Sequence, residues 1–230
     1  MQHLNIDIET YSGVDIKRAG AYKYALSPDF EVLLFAWSAD NGPVSVVDIK
    51  QGETLPAEIL SALFDPGIQK HAYNAAFEWW CLSRWFGLGT AYAMTAEDWL
   101  PQWRCTMLHG LYCGYTAGLA ATGEALGLPH DRRKLSGGAL IRTFCVPCKP
   151  TNANGGRVRT LPRHEPEKWK LFKEYCRQDV VTEREIGRRL SVFPVPDFIQ
   201  RQWVTDLTIN ARGVAVDREL VEGALRCAET

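Results

Sequence analysis

The 230-residue sequence has no excess of charge of either sign. Its 26 lysines and arginines face 27 acidic residues, a formal net charge of −1. That argues against a module holding nucleic acid by phosphate neutralisation alone. It does not exclude an enzyme whose bound metal ions supply the positive field. There is no apolar leader before the first strand-like segment and no run of about 18 apolar residues, so no membrane partner is expected, and the setting expected is cytoplasmic. Internal repeats and low-complexity segments are absent as well. The seven cysteines are scattered and odd in number. Cys145-Val146-Pro147-Cys148 is a lone C-x-x-C without the second pair or His-x₃₋₅-His of a zinc site, so the cysteines read as small buried residues.

What is present is a chain that is 46% hydrophobic, long enough for one large domain or a domain plus part of another. Strands are expected over residues 3–9, 31–39, 43–49 and 68–73, with Asp40-Asn41-Gly42 as a hairpin turn between the second and third. Helices are expected over 56–64 with Pro56 at its first position, over 74–86 with Asn74 as its cap, and over 117–126 and 135–144. Residues 105–113 are ambiguous. Residues 147–163, rich in Pro, Gly, Asn and basic side chains, read as a mobile loop. A long helical stretch covers 165–190 with room for one break. Phe193-Pro194-Val195-Pro196 reads as a linker, and a further helix starts near Asp197. Early strands and late helices point to an α/β fold around a mixed sheet.

Chemistry concentrates in carboxylates. In Leu4-Asn5-Ile6-Asp7-Ile8-Glu9-Thr10, strand geometry points Asp7 and Glu9 to the same face. Two adjacent carboxylates repel and raise each other's pKa, and a hard divalent cation between them removes that penalty. Alone, such a pair is a solvated strand edge. Two further groups accompany it. Asn74-Ala75-Ala76-Phe77-Glu78 sets an acid in the first turn of a helix, which alone is an ordinary dipole partner. Tyr175-Cys176-Arg177-Gln178-Asp179 places Tyr175 and Asp179 on one helical face.

In this order the three groups resemble the exonuclease motifs of the DEDD superfamily, tyrosine subtype. The segments 20–35 (Gly20-Ala21-Tyr22 onward), 71–78 (His71-Ala72-Tyr73-Asn74) and 172–180 (Phe172-Lys173-Glu174-Tyr175) are similar to the proofreading 3′→5′ exonuclease domain of phage-type family A DNA polymerases. The resemblance implies an RNase H-like mixed sheet flanked by helices over residues 1–192, with 193–230 as linker and start of a truncated polymerase region. Gln202-Trp203-Val204-Thr205 onward resembles that start, and no palm motifs follow. It further implies two divalent cations, Mg²⁺ or Mn²⁺, held by Asp7, Glu9, Glu78 and Asp179, with Tyr175 orienting the attacking water. Thr10, Asn74 and Phe77, with Lys149 and Arg157 of the loop, are the expected substrate contacts. The implied partners are a single-stranded DNA 3′ end or frayed primer terminus and the missing polymerase domain. Glu78 stands where the family more often has Asp, and its extra methylene suits binding through water. Were Glu78 not the fourth acid, Asp65 and Glu97 would be the nearby alternatives. Trp79-Trp80 offers either base stacking or core, with core favoured for at least one. His71 reads as a packing residue. The rival readings are an RNase D-like exoribonuclease, against which the tail speaks, and a catalytically degenerate domain that holds DNA.

Overall fold

A computed structural model describes residues 1–116 and 118–228. Five strands, β1 (His3–Tyr11), β2 (Glu31–Ala39), β3 (Ser45–Val47), β4 (Gln69–Ala72) and β5 (Trp103–Cys105), form one sheet in the order β3-β2-β1-β4-β5. β1 runs antiparallel to β2 and parallel to β4, so the sheet is mixed as expected. The β2–β3 turn forms where Asp40-Asn41-Gly42 predicts it. Asp40 and Asn41 take φ of 44° and 64°, the left-handed pair that tight hairpins require. The Asp40 carboxylate accepts from the Gln2 and His3 amides at 2.7 and 2.8 Å, tying the turn to the start of β1.

The helices are α1 (Ile16–Ala25), α2 (Ala57–Phe64), α3 (Ala75–Phe86), α4 (Ala96–Trp99), α5 (Thr106–Tyr112), α6 (Leu119–Ala125), α7 (Gly138–Phe144), α8 (Pro166–Leu190), α9 (Asp197–Arg212) and α10 (Arg218–Ala228). The period-2 alternation of β1 sorts its neighbours. Leu4, Ile6 and Ile8 enter a core shared with Trp79 and Leu82 of α3 and Ile59 and Leu63 of α2. Tyr11 joins a second core with Phe144, Trp169, Phe172, Tyr175, Cys176 and Val180, most of it from α8. The carboxylates of β1 therefore face α8, because residues five, seven and nine alternate with the apolar ones.

Several elements differ from expectation. The third strand shrinks to Ser45–Val47 because Asp48 turns the chain, its side chain accepting from the Gln51 amide at 3.2 Å. Pro56 is the residue before α2 rather than its first member. Asn74 occupies the cap position of α3, but its side chain makes no capping hydrogen bond. Residues 105–113 resolve into the end of β5 followed by α5, and α8 runs unbroken over 25 residues. The expected helix over 117–126 is observed from Leu119, and residue 117 lies outside the described residues. Sequence patterning did not suggest α1, whose N-cap Asp15 accepts from the Lys17 amide at 2.9 Å. The 147–163 segment is a loop that closes on itself, with the Cys148 amide donating to the Val158 carbonyl at 2.8 Å. Arg159 pins it to the sheet through Glu31 at 2.6 Å and by stacking 3.5 Å over the Tyr11 ring.

The tail divides. Trp203, Val204, Leu207 and Ala211 of α9 pack against the first core, while Phe198 and Ile209 face outward. Gln200 also donates to the Trp103 carbonyl at 3.0 Å.

Candidate active site

Three elements deliver the acids. β1 supplies Asp7 and Glu9. β4 runs parallel to β1, with His71 beside Asn5, and leads directly into α3, so Glu78 in the first turn arrives next to Asp7. α8 crosses the same face, and its helical repeat brings Tyr175, Asp179 and Glu183 down one line onto β1. Glu9, Glu78 and Asp179 are buried, and Asp7 is half-buried. Asp7 and Glu9 offer oxygens within 4.8 Å of each other and of Cys176 Sγ, the one such metal-ligand group among the described residues.

Electrostatics explain what this costs. Burial, then Asp179, push the Asp7 carboxyl well above the usual carboxylate range. Burial, then Asp7, do the same to Glu9 and to Glu78. Asp179 is raised by burial although Lys134 pulls it the other way. Tyr175 is pushed far above an ordinary phenol by burial and then by Asp179. Two cysteine thiols touch the acids: Cys176 Sγ donates to Asp7 Oδ2 at 3.5 Å, and Cys145 Sγ lies 3.8 Å from Glu9 Oε2.

These residues fit divalent cations. Glu78 Oε2 and Asp179 Oδ1 are buried with no hydrogen-bond partner, an unfavourable state for carboxylate oxygens that a cation relieves. The donor set is almost all oxygen, which suits Mg²⁺ or Mn²⁺.

Sequence reading missed three members of the site. Lys134 pairs with Asp179 Oδ2 and stands 4.3 Å above the Tyr175 ring centre. Glu183 is buried, accepting from Asn5 Nδ2 at 2.8 Å and from the Thr106 hydroxyl. Its signal was available, since it repeats the four-residue step from Asp179. Gly137 lies against Tyr175 so closely that a Cβ there would fall under 3.0 Å from three ring atoms.

Beside Glu9 opens a cleft of about 720 Å³. Thr10 and Phe77 line it, with Tyr24, Ile141, Arg142 and Lys17. Thr10 Oγ1 is hydrogen-bonded to Tyr24 Oη at 2.8 Å. Asn74 is exposed at the head of α3. Lys149 is exposed and Arg157 half-buried, and neither is among the residues lining the cleft. Trp79 is fully buried with its indole donating to the Ala96 carbonyl at 2.7 Å, so it is core, while Trp80 is half-buried against Tyr22. His71 pairs with His3 at 3.0 Å, and burial lowers its pKa to about 3.

No family model matches the chain. Solved structures similar to it include a nuclease in its apo form (TM-score 0.53, 17% identity, 90% of this chain and 80% of that one). Brucella melitensis NrnC is another (TM-score 0.51, 16% identity, 90% and 81%). Together with the mixed sheet, they define an RNase H-like α/β fold. In sequence the chain is 48% identical over 229 residues to a DNA polymerase of Bacillus phage SP02. The match covers all of this chain and 34% of that polymerase, so the chain spans about a third of its relative. The chain is thus similar to one part of a phage DNA polymerase.

Proposed function

We propose that the chain is a two-metal-ion 3′→5′ exonuclease that hydrolyses DNA to 5′-mononucleotides, the proofreading part of a family A DNA polymerase. The observation that carries this reading is the buried carboxylate cluster from β1, α3 and α8, with two of its oxygens left without partners. Asp7 would serve both ions, Glu9 and Asp179 one of them, and Glu78 the other through water. Bound there, two Mg²⁺ or Mn²⁺ ions would supply a deprotonated water and neutralise charge on the phosphate and the departing oxygen.

The chain's own groups do the rest. Tyr175 stays a neutral phenol at any ordinary pH, so it orients a water by hydrogen bonding and does not act as a base. Half-buried Phe77 offers a face for stacking a terminal base in the cleft, where Arg142 and Lys17 meet phosphates. Lys149 and Arg157 would contact the strand further from its end. The partners are a single-stranded 3′ end or frayed primer terminus and a polymerase region, in the bacterial cytosol. Among the described residues no helix is long and apolar enough to cross a membrane.

The test is digestion of single strands carrying a label at one end, with Mg²⁺ and then with excess EDTA. Mononucleotides should appear from the 3′ end, only with the ion, and faster from single strands than from duplexes. Digestion that persists in EDTA or starts at the 5′ end refutes the reading. A matching RNA strand consumed faster than DNA would favour the exoribonuclease alternative.

A further inference from the structure

Among the described residues Lys134 is the cation that acts on Asp7, Glu9 and Asp179 together, against the mutual repulsion of the acids. Its ammonium is on Asp179 Oδ2 and over the Tyr175 ring, where a cation–π attraction adds to the ion pair. The backbone beneath it is fixed. Gln178 of α8 donates to the carbonyls of Asp131 and Arg133 at 2.9 and 3.0 Å. Arg133 Nε in turn holds the Leu128 carbonyl at 2.7 Å. Lys134 belongs to no helix or strand, lying between the turn His130–Arg132 and α7. A pinned backbone carrying a long side chain makes a tethered cation whose effective concentration at the cluster is high but whose head is free to leave.

We propose that Lys134 is a built-in counter-ion that competes with the divalent cation for Asp179. The inference rests on the metal-dependent reading above. The ammonium holds Asp179 Oδ2, while Oδ1 of the same carboxylate is the buried oxygen left for a divalent ion, so the two cations would share one carboxylate and repel. Binding of the ion therefore works against the Lys134 ion pair, and the affinity of the site is set below what its carboxylates alone would give. The same exchange keeps the buried acids compensated whenever no ion is bound.

Calorimetric titration of the full chain with Mn²⁺ alone, beside melts in EDTA, tests this without any turnover. Lys134→Met should bind Mn²⁺ about tenfold more tightly than the unsubstituted chain, melt lower in EDTA, and gain more from Mn²⁺. Lys134→Arg keeps the charge and should retain the EDTA melting temperature. Lys134→Gln repeats the affinity measurement should the Met variant fail to fold. Equal or weaker Mn²⁺ binding by the neutral variants overturns the counter-ion role and leaves the metal site standing. No Mn²⁺ binding by any of the proteins overturns both.

Discussion

Gly137→Ala isolates one contact of the site. Gly137 has φ −119° and ψ −2°, a conformation alanine also adopts, so its backbone does not require glycine. Space does. An added methyl would come under 3.0 Å from Cε2, Cδ2 and Cζ of Tyr175. The ring cannot retreat, because it is buried and stacked on Phe172 at 6.2 Å with planes 11° apart. Nor can Gly137 move alone, since its carbonyl accepts the Ile141 amide at 2.9 Å at the head of α7. Overpacking of this kind costs about 1–3 kcal/mol. At about 2–4 °C per kcal/mol for a chain of this size, the melting temperature should drop by about 2–12 °C.

The expected functional loss follows from the same displacement. Tyr175 is the group proposed to orient water, and an ångström of misplacement is worth up to about 100-fold. Melts in EDTA and digestion of a labelled single strand read the two effects separately. A double-mutant cycle decides the cause. With Tyr175→Ala as background those three contacts are gone, and Gly137→Ala should cost less than it does in the unsubstituted chain. An equal cost in both backgrounds, or a Gly137→Ala protein with unchanged melting and digestion, refutes the argument.

Four other outcomes are expected. Asp7→Ala or Asp179→Ala should lower digestion by several orders of magnitude while the fold survives, and Asp7→Ala should melt no lower in EDTA because repulsion is relieved; Tyr175→Phe should lose about 100-fold or less. Glu78→Asp should keep most activity and Glu78→Ala lose much of it, and equal rates for Glu78→Ala and the unsubstituted chain would reassign the fourth acid. For pH, Asp7, Glu9, Glu78, Asp179 and Glu183 all have raised folded pKa values, so the stability they confer is complete below about pH 4 and is lost as pH rises through those values. Melting in EDTA should therefore fall as pH rises above about 4 on account of these acids, with the buried neutral His71 opposing the fall up to about pH 6.5 and the lowered acids such as Glu185, at about 2, already ionised; with Mn²⁺ present the slope should reverse, because ligand carboxylates bind metal deprotonated. Ending the chain at Leu190 removes the half-buried Trp203, Val204 and Leu207 from the first core and should cost about 3 kcal/mol, yet leave digestion intact, as a boundary near residue 192 requires. Unfolding of that truncated chain would put α9 inside the domain.

The parts of the site that were legible are those written in a local period. Asp7 and Glu9 share a face because strands repeat every two residues, and Tyr175 and Asp179 share one because helices repeat near four. The mixed sheet followed from strand-like runs and one turn signal, and the long helix from its apolar stripe. Glu183 obeys the same step as Asp179, but it is flanked by Arg184 and Glu185, and such a charged run reads as solvated until α8 is known to press that side onto β1. Lys134 and Gly137 had no period to show. They sit in irregular chain, and what places them is Gln178 reaching back across some forty residues of sequence to hold two carbonyls. Cys145 and Cys176 are legible in the sequence only as small buried residues, and their meeting with Glu9 and Asp7 is a matter of packing. A small, weakly donating side chain is what fits between buried acids, since a larger donor would fill the space the acids converge on and an apolar one would leave their oxygens with one partner fewer. Patterns along the chain report which face a residue takes. Which residues from separate segments meet on that face is decided by tertiary packing, and the cation at this cluster is a property of the second kind.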